Sequence, residues 1–140
     1  MPAKQKKDPW FEYSLVHFYE SLYGHERLTY RKMFGGLAIY FKGRLVTCIM
    51  QNREDSDWNG ILIPTERDHH AALLERWPSL IPHKILPKWL YLSMSNPELE
   101  SIAPEIVRAI EKSDPRIGIE PKSKNRAKKS NRKAKKLSSQ

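Results

Sequence analysis

Apolar residues come in short clusters between polar breaks, and the spacing within each cluster predicts its element. Asp8-Pro9 reads as a helix start, with Asp8 as N-cap and Pro9 in the first helical position. Trp10, Phe11, Val16, Phe18, Tyr19 and Leu22 then form a broad apolar stripe that Gly24 ends. Leu28–Met33, Leu37–Phe41, Arg44–Met50 and Gly60–Ile63 read as four strands, and the second and third are joined by Lys42-Gly43, a two-residue hairpin turn. Asn52 to Asn59 is a polar, acidic loop.

Thr65-x-x-Asp68 resembles a capping box opening a helix that runs to Arg76. Pro78, Pro82 and Pro87 mark an irregular connection, and Trp89–Met94 alternates as a fifth strand. Ser95-Asn96-Pro97-Glu98 opens a last helical region to about Lys112, divided at Pro104 and ended by Asp114-Pro115. The pattern predicts an α+β domain over 8–119, in the order α-β-β-β-β-α-β-α, with a mainly antiparallel five-stranded sheet, one N-terminal helix and C-terminal helices. Residues 1–7 form a basic N-terminal extension. Residues 120–140 hold only Ala127, Ala134 and Leu137 as apolar residues and are expected to stay disordered.

Charge changes this picture. Of the 25 basic residues, nine fall in the last stretch: Lys122, Lys124, Arg126, Lys128, Lys129, Arg132, Lys133, Lys135 and Lys136. No acidic residue accompanies them, so the other 16 basic residues balance all 16 acidic ones across 1–120. The net charge of +9 therefore belongs to the tail, a polycation suited to sequence-independent contact with DNA or RNA phosphates. The absence of an apolar run of about 18 residues argues against a membrane span, and the N-terminus lacks the apolar region of a signal peptide. The single Cys48 points to a reducing, cytoplasmic setting.

The glycine pair in "YRKMFGGLAIYFKGRLV" poses the main question of chemistry. A phosphate loop needs its glycines before a helix N-terminus, whereas these precede a strand. The expected role is a bend or bulge with close backbone approach. Met33-Phe34-Gly35-Gly36, the apolar strand ending in Tyr40 and the one-glycine hairpin resemble the N-terminal domain of the TfoX (Sxy) competence regulators. "PKWLYLSMSNPELESIAPEIVRAI" is similar to that domain's closing segment, and the element order resembles the related YjbR family. The resemblance implies a small YjbR-like α+β fold and a link to transcription regulation or nucleic acid, and it implies no established catalytic activity.

Other constellations carry less. Adjacent His69 and His70, after Asp68, project about 100° apart on a helix and do not share one ion easily; no metal or cofactor is expected. Glu54, Asp55 and Asp57 lack the loop pattern of a calcium site. Cys48 reads as a small buried hydrophobe. Tyr30-Arg31-Lys32 and Tyr40-Phe41-Lys42 set aromatics beside cations, as base-stacking sheets do, which makes Arg31 and Lys32 candidate nucleic-acid contacts. Trp58 is the expected exposed aromatic. The reading is a non-enzymatic accessory protein that contacts nucleic acid through its tail, with a protein partner possible. The alternative is a protein–protein interaction adaptor with no nucleic-acid affinity of its own, using a strand edge or the closing helix.

Overall fold

The structure, a computed structural model, describes residues 8–33, 35–51 and 58–121. Six strands, β1 (Leu28–Met33), β2 (Gly36–Phe41), β3 (Arg44–Met50), β4 (Gly60–Ile63), β5 (Ile81–Pro82) and β6 (Leu90–Ser93), make one sheet in the order β1-β2-β3-β4-β6-β5. Every pairing is antiparallel. The α+β class and the antiparallel sheet agree with the sequence. The sixth strand does not: β5 lies inside the proline-marked connection, where Ile81 and Pro82 pair with Tyr91 and Leu90. It is a two-residue edge strand ending in a proline, the edge position where a missing N–H is tolerated.

The N-terminal segment is also corrected. Asp8 does cap it, accepting from the Trp10 N–H at 3.0 Å. The segment is two 3-10 turns, Pro9–Glu12 and Ser14–Tyr19, separated by an extended Tyr13. Its buried residues explain why. Trp10, Tyr13, Val16, Tyr19 and Leu22 recur at every third position, the period of a 3-10 helix, and all are buried. Phe11, assigned to the apolar stripe by α-helical spacing, is 69% exposed. Gln51 holds this irregular segment on the sheet: its Oε1 accepts from the Leu15 N–H at 3.1 Å and its Nε2 donates to Ser14 Oγ at 3.0 Å.

Helix α1 (His70–Arg76) follows a 3-10 turn at Arg67–His69, not a capping box. The Thr65 hydroxyl instead donates to the Arg116 carbonyl at 2.6 Å, tying the start of this segment to the end of the domain. Helix α2 (Leu99–Glu111) runs unbroken through Pro104. An interior proline costs about 3 kcal/mol. Ile102, Ile106, Val107 and Ile110 are all buried on the same helix, and each such burial contributes about 1.5–3 kcal/mol, so packing outweighs the break. Trp77, closing α1, donates from Nε1 to Glu105 Oε1 of α2 at 2.8 Å.

The glycine pair behaves as the sequence indicates. Gly35 takes a φ of +78° in the turn between β1 and β2, while Phe34 lies outside the described residues. Gly36 is the close approach: a Cβ there would stand 2.1 Å from the Ile49 carbonyl oxygen.

The helical segments all pack on one face of the sheet. That core joins Trp10, Tyr19, Leu73, Ile106 and Ile110 to Ile39, Ile49, Ile61 and Leu92. A second, thinner cluster lies on the opposite face: Ala38, Leu45, Cys48, Leu62, Trp89, Tyr91 and Ile119. No residue of α1, α2 or the two N-terminal turns belongs to it. Its cover, among the described residues, is the connection 83–89 and the returning end of the chain, where Ile119 bridges Leu45.

Candidate functional site

The strand registers place a single row of residues across the second face. Arg31 pairs with Ala38, Ala38 with Cys48, Cys48 with Leu62, Leu62 with Tyr91 and Tyr91 with Ile81. Directly opposed residues share a face, so this row runs from one sheet edge to the other. The neighbouring row is Met33, Gly36, Met50, Gly60 and Ser93. Met33, Tyr40, Met50 and Trp58 are half-buried and top this face.

Arg31 and Lys32, adjacent in sequence, do not form one basic patch. Side chains alternate along a strand, and the two point to opposite faces. Lys32 reaches the helical side, where its Nζ lies 2.8 Å from Glu12 Oε1. Arg31 lies on the second face. Its guanidinium sits over the Tyr40 ring, 5.6 Å from the centroid, and donates to the Tyr40 hydroxyl at 3.2 Å. Among the described residues it has no carboxylate partner.

Tyr30 also leaves the expected stacking group. Its hydroxyl donates to Asp8 at 2.8 Å, and the Tyr23 hydroxyl donates to the same carboxylate at 2.9 Å. Partial burial raises the Asp8 pKa, but the bonds from Tyr30, the Trp10 N–H and Tyr23 outweigh it and hold the carboxyl below its ordinary value. This group staples the N-terminal turns to β1.

Trp58 is not the free aromatic that its polar loop suggests. It packs against His83 and Tyr91, each at 4.8 Å between ring centroids. The pair Trp58–His83 forms the far end of the second face. His83 Nδ1 accepts from the Ile85 and Leu86 N–H groups, both at 3.2 Å, which fixes the proton on Nε2. Burial lowers the His83 pKa from its ordinary 6.5. Below pH 6.5 the unfolded chain therefore takes up a proton that the folded chain resists, and stability falls as pH drops through that window. Thermal melts between pH 7.5 and 5 should show the midpoint falling, with a smaller fall in His83→Gln; equal falls in both proteins would remove His83 as the cause.

Cys48 is buried in the middle of the second face, and burial pushes its thiol up to about 12, so it packs as an apolar group. His70 and His69 diverge. His70 Nε2 bonds the Lys88 carbonyl oxygen at 2.7 Å, and His69 borders a shallow pocket with Arg44, Glu66 and Glu120. No group of three potential metal ligands occurs among the described residues. Glu54, Asp55, Asp57 and the nine cations from Lys122 to Lys136 lie outside the described residues. The tail's point of departure is described. Ile119 exchanges two backbone hydrogen bonds with Leu45, at 2.9 and 3.0 Å, and Arg44 donates to the carbonyls of Ile117 and Gly118. The chain thus leaves the domain at the second face.

No family model, curated protein or solved structure matches this chain. Its function is argued from the arrangement itself.

The row through Ala38, Cys48 and Leu62 and the Trp58–His83–Tyr91 group were not singled out from sequence. A signal existed: "GLAIYF", "LVTCIM" and "GILI" are nearly continuous apolar runs, and strands that face water on one side alternate instead. Such runs mark a sheet covered on both faces.

Proposed function

We propose that this chain is a non-enzymatic, regulatory accessory protein of the TfoX N-terminal, YjbR-like type that contacts DNA or RNA through its basic C-terminal tail. The observation that carries the reading is the segregation of charge. Nine cations without one acidic residue follow Pro121, while the span 8–120 carries a net charge of −3. A polycation so concentrated releases counterions from nucleic-acid phosphates and needs no particular sequence. The folded part, repelled by phosphate overall, holds the tail by the Ile119–Leu45 bridge.

The adaptor alternative loses one of its two surfaces. The apolar residues of α2 are already buried in the domain's own core, so the closing helix has no free apolar face for a partner. Two sheet edges remain: β1, where exposed Arg31 and Lys32 discourage strand addition, and β5, only two residues long and ending in a proline, with Ile81 exposed.

Fluorescence anisotropy with duplex and single-stranded DNA and RNA tests the reading. The full chain should bind all of them at 50 mM salt and release them steeply by 200 mM. Absence of binding at low salt sinks the proposal.

A further inference from the structure

We infer that the connection 83–89 is a proton-released lid over the second face, latched by the His83 ring and plugged by Leu86. The inference is independent of the nucleic-acid reading and stands if that reading fails.

Backbone fixes the neck of the lid. The His83 N–H donates to the Trp89 carbonyl at 2.9 Å and continues the β5–β6 pairing by one residue. On the far side the His70 ring bonds the Lys88 carbonyl oxygen through Nε2 at 2.7 Å, and Lys88 Nζ lies 3.5 Å from Glu66 Oε1. Residues 84–87 stand between these points. Pro87 has no N–H to give, and the Ile85 and Leu86 N–H groups both go to His83 Nδ1. A further bond reaches this stretch from the Trp89 N–H to the Leu86 carbonyl, at 2.8 Å. Leu86 packs inward on the apolar cluster of the second face, while its neighbour Ile85 is 75% exposed.

A protonated imidazole carries N–H on both nitrogens. At His83 the added proton would occupy the lone pair that Ile85 and Leu86 share. Both backbone N–H groups then lose their acceptor and face a third N–H. His70 suffers no such conflict, because its Nε2 donates to a carbonyl in either state. Protonation therefore frees 84–87 and leaves the neck and the Lys88 anchor in place.

The surroundings favour a neutral ring in the closed lid. Trp58 and Tyr91, at 4.8 and 5.8 Å between ring centroids, present no carboxylate to it. Lys84 follows it in the chain with like charge, and Lys88 is paired with Glu66. Arg53, Glu54, Asp55 and Asp57 precede Trp58 and lie outside the described residues. Burial makes the closed lid resist a proton that the open lid accepts at the ordinary 6.5. The lid is held above that pH and is released as pH falls from 6.5 toward the lower value of the closed form.

Amide hydrogen exchange, followed residue by residue by NMR in the full chain between pH 7.5 and 4.5, tests the lid. Below about pH 6.5 the protection of Ile85 and Leu86 should fall by up to about tenfold per pH unit, while that of Ile39 and Ile49 in the sheet holds. His83→Asn keeps the latch without the charge: Oδ1 stands in for Nδ1 and accepts the same N–H groups, as in an Asx turn. Its protection should not change with pH. His83→Ala should leave both amides in fast exchange throughout. Constant protection in the unaltered chain overturns the lid, as does an equal fall in His83→Asn. Full protection in His83→Ala removes the ring as the latch and overturns it too. A parallel fall at Ile39 and Ile49 overturns it in favour of unfolding of the whole domain.

Discussion

A chain ended after Pro121 is expected to lose nearly all of its salt-sensitive affinity for duplex DNA. Each neutralised phosphate contributes about −0.9 to the slope of log affinity against log salt, so nine contacts give about −8. The full chain should then weaken by roughly 10³–10⁵ between 50 and 200 mM salt. Without residues 122–140 only the slightly acidic span remains with the short N-terminal extension, and the slope should be shallower than about −2. Folding is not the confounder. Pro121 lies beyond Ile119, so the truncated chain keeps the Leu45 bridge and should melt within a degree or two of the full one. A slope that survives truncation assigns the phosphate contacts to the sheet and removes the tail from the mechanism.

The second large effect concerns stability. Gly60→Ala is expected to destabilise the fold by about 3–5 kcal/mol, lowering the melting temperature by roughly 10–20 °C. A Cβ on Gly60 would stand 2.2 Å from the Leu92 carbonyl oxygen and 2.9 Å from the Met94 nitrogen. Both are backbone atoms of the neighbouring strand or its end, which move only by breaking the β4–β6 ladder. The backbone adds strain, since φ is +154°. Gly24→Ala is the matched comparison. Its φ is +88° but nothing lies within 4 Å of the added methyl, so it should cost only about 1–2 kcal/mol. Equal losses in the two variants, measured by chemical denaturation, would show that conformation alone matters and that the close approach does not.

The sequence made the sheet readable because its signals are local. Lys42-Gly43 both take positive φ, as a two-residue hairpin demands, and the flanking runs pair antiparallel with one register shift between Ile39 and Tyr40. Asp8 capped its segment and Gly24 ended it for reasons contained within a few residues. The misreadings share a different cause. Thr65 has the spacing of a capping residue, but its hydroxyl is claimed by the Arg116 carbonyl, 51 residues away. Pro104 is locally a helix breaker, and only the buried residues on either side of it explain why the helix continues. The N-terminal turns were legible after all, since burial at every third residue is a 3-10 period; the eye follows the α-helical spacing because Phe11 and Phe18 complete it.

The candidate site was half legible. Arg31 and Tyr40 were recognisable as a cation and an aromatic nine residues apart, and the hairpin brings them together. That Lys32 belongs elsewhere follows from strand alternation and needs only a firm register. Trp58 meets His83 and Tyr91 through the β4–β6 pairing, which joins residues that no local pattern connects.

The Ile119–Leu45 bridge also has a mechanical meaning. Any load applied through the tail enters the domain at Ile119, which two backbone hydrogen bonds and its seat beside Leu45 secure. Behind it the Gly118 N–H donates to the Pro64 carbonyl at 2.7 Å, Thr65 holds the Arg116 carbonyl, and Ile117 is buried in the main core. Force along the tail would therefore be shared between β3, the stretch after β4 and the core, and the segment 116–119 acts as an anchor plate that spreads the pull over distant parts of the sheet.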